Sequence, residues 1–161
     1  MTVKKDVIAW SWYDLQVKQL KKIIVKDGFT PDVVVGIMRG GVIPAIMLSH
    51  QFDVPCESVL LSYRDSQGDS QINVVSAILR LYSNVLIVED IVDSGKTMSE
   101  LKKFIDNDLS CYYPKDKKPL PTIKYASVWY NVSQPVSVDY HAVTFDRNKN
   151  HDWFVFPWEK Q

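Results

Sequence analysis

The chain has no long hydrophobic run. No stretch of its 161 residues approaches the roughly 20 apolar residues that a membrane-crossing helix needs. The N-terminal MTVKKDVIAWSW carries two lysines but no apolar segment of about 7–15 residues, so no secretory signal is expected. Cysteine is scarce: Cys56 and Cys111 are too few for a disulfide framework and read as free thiols of a reducing compartment. A cytoplasmic location follows as the expectation. Charge of neither sign is in excess, because 19 Lys and Arg balance 19 Asp and Glu. A whole-domain electrostatic case for a nucleic-acid partner is therefore missing. Histidine is sparse, and His50, His141 and His151 show no metal-ligand spacing, so none is assigned to catalysis. Internal repeats, low-complexity tracts and long linkers are absent as well.

What is present is ordinary for a globular protein: 46% hydrophobic and 24% charged residues. A chain of this length fits one domain over residues 1–161 and can bury about two-thirds of its unfolded surface. Trp12–Lys26 sets Leu15, Leu20, Ile23 and Ile24 at helical spacing and ends near Gly28. Asp32–Ile37, bounded by Pro31 and Gly36, reads as a strand buried on both faces. Residues 42–51 read as a helix with Pro44 in its first turn. A second strand is expected over Ser58–Leu61 and a polar loop over Tyr63–Ser70. Further along come a strand over Asn84–Glu89, a helix over Lys96–Asn107, a surface excursion over 108–121 and a strand over Thr122–Tyr130. An aromatic tail, His151–Trp158, closes the chain. Alternating strands and helices predict an α/β domain around a mostly parallel central sheet flanked by helices. In such sheets ligands sit at the carboxyl ends of the strands.

Two strand-to-helix loops occupy that kind of position. In Val85-Leu86-Ile87-Val88-Glu89-Asp90-Ile91-Val92-Asp93-Ser94-Gly95-Lys96-Thr97, four apolar residues run into two adjacent acids, and a third acid precedes a Ser-Gly-Lys-Thr turn. Backbone N–H groups at a helix N-terminus suit a phosphate dianion, and small residues let it approach. Carboxylates at a strand end accept hydrogen bonds from a sugar diol or help hold a hydrated Mg²⁺. A Walker-type phosphate loop would need glycine at position 90, where Asp90 stands. The other loop, Gly36-Ile37-Met38-Arg39-Gly40-Gly41, offers a guanidinium fork and two residues that permit close backbone approach.

The longer motif resembles the phosphoribosyl pyrophosphate (PRPP) site of the type I phosphoribosyltransferases, and the whole chain is most similar to the bacterial xanthine-guanine (6-oxopurine) enzymes. That resemblance implies a transferase that joins a free purine base, namely xanthine, guanine or hypoxanthine, to PRPP with Mg²⁺ as cofactor. It implies the fold of that family with a small C-terminal hood, here about residues 131–161. Glu89 and Asp90 would take the ribose diol, with Asp90 also a metal ligand. Ser94, Gly95, Lys96 and Thr97 would bind the 5′-phosphate, and Asp93 would be the catalytic acid/base near N7 of the purine. Arg39, Gly40 and Gly41 match the pyrophosphate loop, which often has a cis peptide, here at Met38–Arg39. Ser62-Tyr63 precede the family's mobile loop, Tyr63–Asn73, from which Arg64 would reach the pyrophosphate. Trp153, Phe154, Pro157 and Trp158 match a Trp-x-x-x-Pro-Trp segment in which the first Trp stacks on the base and the next backbone reads its edge; Trp158 is read as structural. The family's base-reading Lys falls on Asn131, an uncharged amide that can still donate to O6. Two alternatives stand beside this reading: a PRPP- or nucleotide-sensing regulator of the same fold, and a phosphoribosyltransferase for another base. A homo-oligomer is expected from Trp10, Trp12 and Tyr13, which a packed N-terminal helix explains equally.

Overall fold

The computed structural model describes residues 4–61, 68–116 and 119–159. Seven strands and four helices follow one another among them as β1 (Lys5–Val7), α1 (Trp10–Lys26), β2 (Val33–Ile37), α2 (Val42–Phe52), β3 (Cys56–Val59), α3 (Gly68–Leu81), β4 (Asn84–Val92), α4 (Lys96–Asp116), β5 (Thr122–Asn131), β6 (Tyr140–Phe145) and β7 (Trp153–Val155). Five strands form one sheet in the order β3-β2-β4-β5-β6, and all of its pairings are parallel. The α/β architecture with a parallel central sheet is thus the one that the alternation of periods predicts.

Side chains of period two sort the core into two layers. Val34, Leu86 and Val88 face α1 and α2, joined there by Tyr13, Val17, Leu20, Ile24, Ala45 and Leu48. Val33, Val35, Val85 and Ile87 face the other way, against Val75, Ile78 and Leu79 of α3 and Met98, Leu101 and Ile105 of α4. Every residue of β2 is buried, as a strand covered on both faces must be. Tyr13 is fully buried, its ring stacked on Trp129 at 5.5 Å, whereas Trp10 and Trp12 stay about half exposed. Of the two explanations for these aromatics, the packed helix accounts for Tyr13. The Cys56 thiol is free.

Three segment boundaries depart from the sequence reading. Residues 68–70, expected in a loop, open α3, whose inward Val75, Ile78 and Leu79 repeat at helical spacing. Helix α4 runs to Asp116 instead of ending near Asn107, because Asp108 and Leu109 continue its inward face. Strand β3 lies two residues earlier than expected, where Val34 N–H bonds the Pro55 carbonyl and the register pairs Val34 with Cys56. Within residues 131–161, β6 is the edge strand of the main sheet, and β7 pairs with the N-terminal β1. Among the described residues no helix is long and apolar enough to cross a membrane.

Candidate active site

The chain leaves β2 toward β3 through α2 and leaves β4 toward β5 through α4, so the order of strands reverses between β2 and β4. A crevice opens at the carboxyl ends of two such neighbours. Pairing of β2 with β4 stops at Gly36 and Val88, while β4 continues beside β5 as far as Val92 and Tyr130. Glu89 and Asp90 therefore sit where β4 outruns its neighbour, not beyond a strand end. The loop after β2 folds back over this step. A Cβ on Gly40 would overlap the Asp90 carboxylate, and one on Gly41 would lie 2.5 Å from the Val88 carbonyl oxygen. The Met38–Arg39 peptide is cis, as the resemblance implies. Arg39 is exposed beside the crevice.

Packing two acids this close has an electrostatic consequence. Burial, reinforced by the neighbouring Asp90 charge, pushes the Glu89 carboxyl up to about 9. Burial likewise raises Asp90 to about 6, against the Ile91 N–H that donates to its Oδ1 at 2.9 Å, with the Glu159 charge adding to the rise. Near neutral pH the pair thus carries about one negative charge. Glu89 Oε2 is buried and has no hydrogen-bond partner. An orphaned carboxyl oxygen at this depth fits an incoming sugar hydroxyl or a hard cation. Among the described residues no group of three His, Cys, Asp or Glu side chains is arranged around a metal ion. Two carboxylates suffice for Mg²⁺, which is commonly bound through one or two of them plus substrate phosphates and waters.

The raised value makes a stability prediction. Folded protein keeps the Glu89 proton up to about pH 9, whereas a free Glu releases it near 4.5. The native state binds more protons across that window, so stability present below it is lost as pH rises through it. Glu89→Gln should therefore raise the melting temperature of the ligand-free protein at pH 8 by several degrees, at about 2–4 °C per kcal/mol. The gain should shrink to near nothing at pH 5. Thermal melts at both pH values check this; a gain independent of pH would contradict it.

The turn from β4 into α4 has the shape of an anion cradle. Gly95 has φ 75°, a left-handed conformation that favours glycine, and a Cβ there would strike the Gln134 amide. Its carbonyl accepts Ser99 N–H at 2.9 Å, the first turn of the 21-residue α4. Ser94 Oγ accepts Lys96 N–H at 3.4 Å. A cavity of about 120 Å³ is lined by Glu89, Asp93 and the Ser94–Thr97 turn, which brings the acid and the turn together as the motif predicts. A helix N-terminus with small residues around such a cavity favours a phosphate dianion.

Asp93 leads into this turn, and its partner is a residue the sequence did not single out. Arg147 donates from Nε to Asp93 Oδ1 at 2.9 Å and to Oδ2 at 3.0 Å, and from Nη2 to Oδ2 at 2.7 Å. Its Nη1 donates to the Asp152 carbonyl at 2.6 Å. The guanidinium also lies over the rings of Phe145 and Phe154, at 4.8 and 5.2 Å. In sequence Arg147 is one cation of a polar Asp-Arg-Asn-Lys-Asn run, and no local pattern marks it.

Asn131 is moved to a different role. It is 4% exposed, its Nδ2 donates to the Asp93 carbonyl at 2.9 Å, and its Oδ1 accepts from Ser133 N–H, Ser133 Oγ–H and Arg147 N–H. An amide so occupied organises the loops around Asp93 and is not presented to a base. Trp153, by contrast, is 58% exposed at the start of β7. Phe154 buries its ring against Phe145 at 4.9 Å, so only its backbone is available. Trp153 N–H bonds Lys4 O and Ile8 N–H bonds Val155 O, so alternation turns the Phe154 backbone groups to the opposite edge. Trp158 packs on Tyr13 and Phe156 at 4.8 and 5.1 Å, a structural residue as expected. Ser62, Tyr63 and Arg64 lie outside the described residues.

The strand-order switch point of the parallel α/β domain thus brings the Ser94–Thr97 turn and the adjacent acids Glu89 and Asp90 together. Residues 13–160 match the phosphoribosyl transferase domain model, and the chain belongs to that family of pentosyl-transferring enzymes. A xanthine-guanine phosphoribosyltransferase of Cereibacter sphaeroides is 29% identical over 143 residues, covering 83% of this chain and 75% of the relative. One of Ruegeria is 28% identical, covering 83% and 74%. In structure, the purine phosphoribosyltransferase of Pyrococcus horikoshii matches with a TM-score of 0.69 at 23% identity, over 98% of this chain and 95% of that one. A Neisseria gonorrhoeae protein solved with bound ppGpp matches at 0.71 and 23% identity, over 99% and 92%.

Proposed function

We propose that the protein transfers the phosphoribosyl group of PRPP to a free 6-oxopurine base, giving a nucleoside 5′-monophosphate and pyrophosphate. The observation that carries this reading is the placing of Glu89, with its unpartnered Oε2, in the same cavity as the Ser94–Thr97 turn. A ligand filling that cavity presents a phosphate to the turn and hydroxyls to the acids, which is the outline of a ribose 5-phosphate. The names of the xanthine-guanine relatives support a 6-oxopurine as its acceptor.

In this reading the backbone amides of Ser94–Thr97 hold the 5′-phosphate, and Glu89 and Asp90 accept from the ribose hydroxyls. Asp90 would also hold Mg²⁺, whose charge would offset that of the pyrophosphate. Arg39 and the backbone of Gly40 and Gly41 face that leaving group, with Arg64 assigned to it as well. N9 of the base forms its bond to C1′ while the C1′–O bond breaks, and pyrophosphate departs with the electron pair. As N9 bonds to C1′, the proton on N7 passes to the Asp93 carboxylate, so the base leaves neutral. Trp153 offers an exposed ring for the base to stack on, and the Phe154 backbone lies beside its edge. Catalysis here is positioning and electrostatics.

The test is incubation with PRPP, Mg²⁺ and each of guanine, xanthine, hypoxanthine, adenine and uracil, following pyrophosphate release. Turnover of the oxopurines over adenine and uracil is expected. PRPP binding with no turnover of any base would replace the enzyme by a PRPP-sensing regulator.

A further inference from the structure

Arg147 is the best-held cation of the site, and the proposed reaction leaves it without a task. Its guanidinium is clamped from four sides: the Asp93 carboxylate, the Asp152 carbonyl and the rings of Phe145 and Phe154. Asn131 fixes its backbone by accepting Arg147 N–H at 3.2 Å. Of the five N–H groups of a guanidinium, Nε uses its one on Asp93, and Nη2 and Nη1 use one each on Asp93 and Asp152. One N–H on each terminal nitrogen is left over. Asp152, whose carbonyl orients the fork, is followed directly by the exposed Trp153.

The chemistry of a purine edge says what such a fork meets. N7 and the substituent on C6 are neighbours on one edge of the ring; in an oxopurine the C6 substituent is an acceptor, while N7 gives its proton to Asp93. A base whose N7 faces Asp93 therefore turns its C6 substituent toward whatever is bonded beside that carboxylate. Here that is Arg147. A guanidinium only donates, so it complements O6 and opposes the amino group of adenine. We propose that Arg147 is the specificity-determining residue of the base site, donating to O6 of the purine. It supplies, from the loop between β6 and β7, the cation absent at Asn131. Asn131 serves it indirectly, as a positioning residue that ties both the Asp93 carbonyl and the Arg147 amide.

This inference rests on the proposed purine transfer, and the experiment separates the two. Hypoxanthine and adenine differ in the C6 substituent. Their kcat/KM values would be measured on the full chain for the wild type, Arg147→Gln and Arg147→Lys, alongside PRPP affinity without base. Arg147→Gln should lower kcat/KM for hypoxanthine about 100-fold, because a charged donor clamped toward an acceptor is lost. Adenine should fall far less, so the ratio collapses, while PRPP affinity stays within about threefold. Arg147→Lys should restore part of the hypoxanthine preference, and as a charged conservative variant it keeps the test open if the Gln variant fails to fold. Equal losses for the two bases would overturn the inference and leave Arg147 only a brace for Asp93. A rise in turnover on removing Arg147 would overturn it in favour of an inhibitory contact. A wild type that uses no purine would overturn both this inference and the proposed function.

Discussion

Asp93→Ala is expected to lower turnover by about 10²- to 10⁴-fold, the usual range for a general acid/base, while PRPP affinity changes by less than about threefold. The separation follows from position. Asp93 lines the cavity beside the Ser94–Thr97 turn, yet its carboxylate is held by Arg147. Its backbone carbonyl, which the substitution keeps, holds Asn131. Removing the carboxylate frees the Arg147 fork, so the variant also loses the surface that orients the base. Asp93→Asn distinguishes the two effects. The amide oxygen can still accept from Arg147 but cannot take a proton, so base KM should recover toward wild type while kcat stays low. Steady-state kinetics with PRPP and the preferred base give both numbers, and equilibrium titration gives PRPP affinity. Parallel losses of turnover and PRPP affinity would remove Asp93 from the chemistry.

Gly40→Ala is expected to weaken PRPP binding by about 10- to 100-fold, the equivalent of one lost hydrogen bond to a charged group. The cause is a single overlap. The new methyl would occupy the space of the Asp90 carboxylate, so that side chain must swing away from its bond to Ile91 N–H. The Asp90 carboxyl is held near 6 by burial at this one place, and a displaced carboxylate neither meets the ribose nor holds a cation. Loop backbone need not move, because the contacts of the added Cβ are with a side chain. The melting temperature should accordingly drop by only a few degrees. Calorimetric titration with PRPP and Mg²⁺ checks the affinity; an unchanged value would show that Asp90 has no part in binding.

Local signals carried much of the site. Val85–Thr97 has its meaning in consecutive residues, since an apolar strand, two acids and a small-residue turn need no distant partner to be recognised. The Trp153 ring and the Met38–Arg39 peptide were legible for the same reason, through a resemblance confined to short segments. Helix α3 carries the same kind of signal, because Val75, Ile78 and Leu79 repeat at helical spacing, but the polar run over 63–70 that leads into it hides its start. The extension of α4 past Asn107 depended on burial of Asp108 and Leu109, which a Lys- and Pro-rich stretch conceals.

The sequence by itself determined the α/β class, four of the five strands of the parallel sheet, the Ser-Gly-Lys-Thr turn and the acid pair, because each is written in residue periodicity or in neighbours along the chain; β6 falls within the expected hood. Only the tertiary structure decided how these pieces act on one another. Gly40 meets Asp90 because β2 and β4 are adjacent in the sheet, not in the chain. The rise of Glu89 to about 9 comes from burial among several elements. Arg147 reaches Asp93 across 54 positions, and Asn131, the expected base reader, is drawn inward to tie them together. Contacts of that kind depend on strand order and loop path, and no local pattern of residue types encodes them.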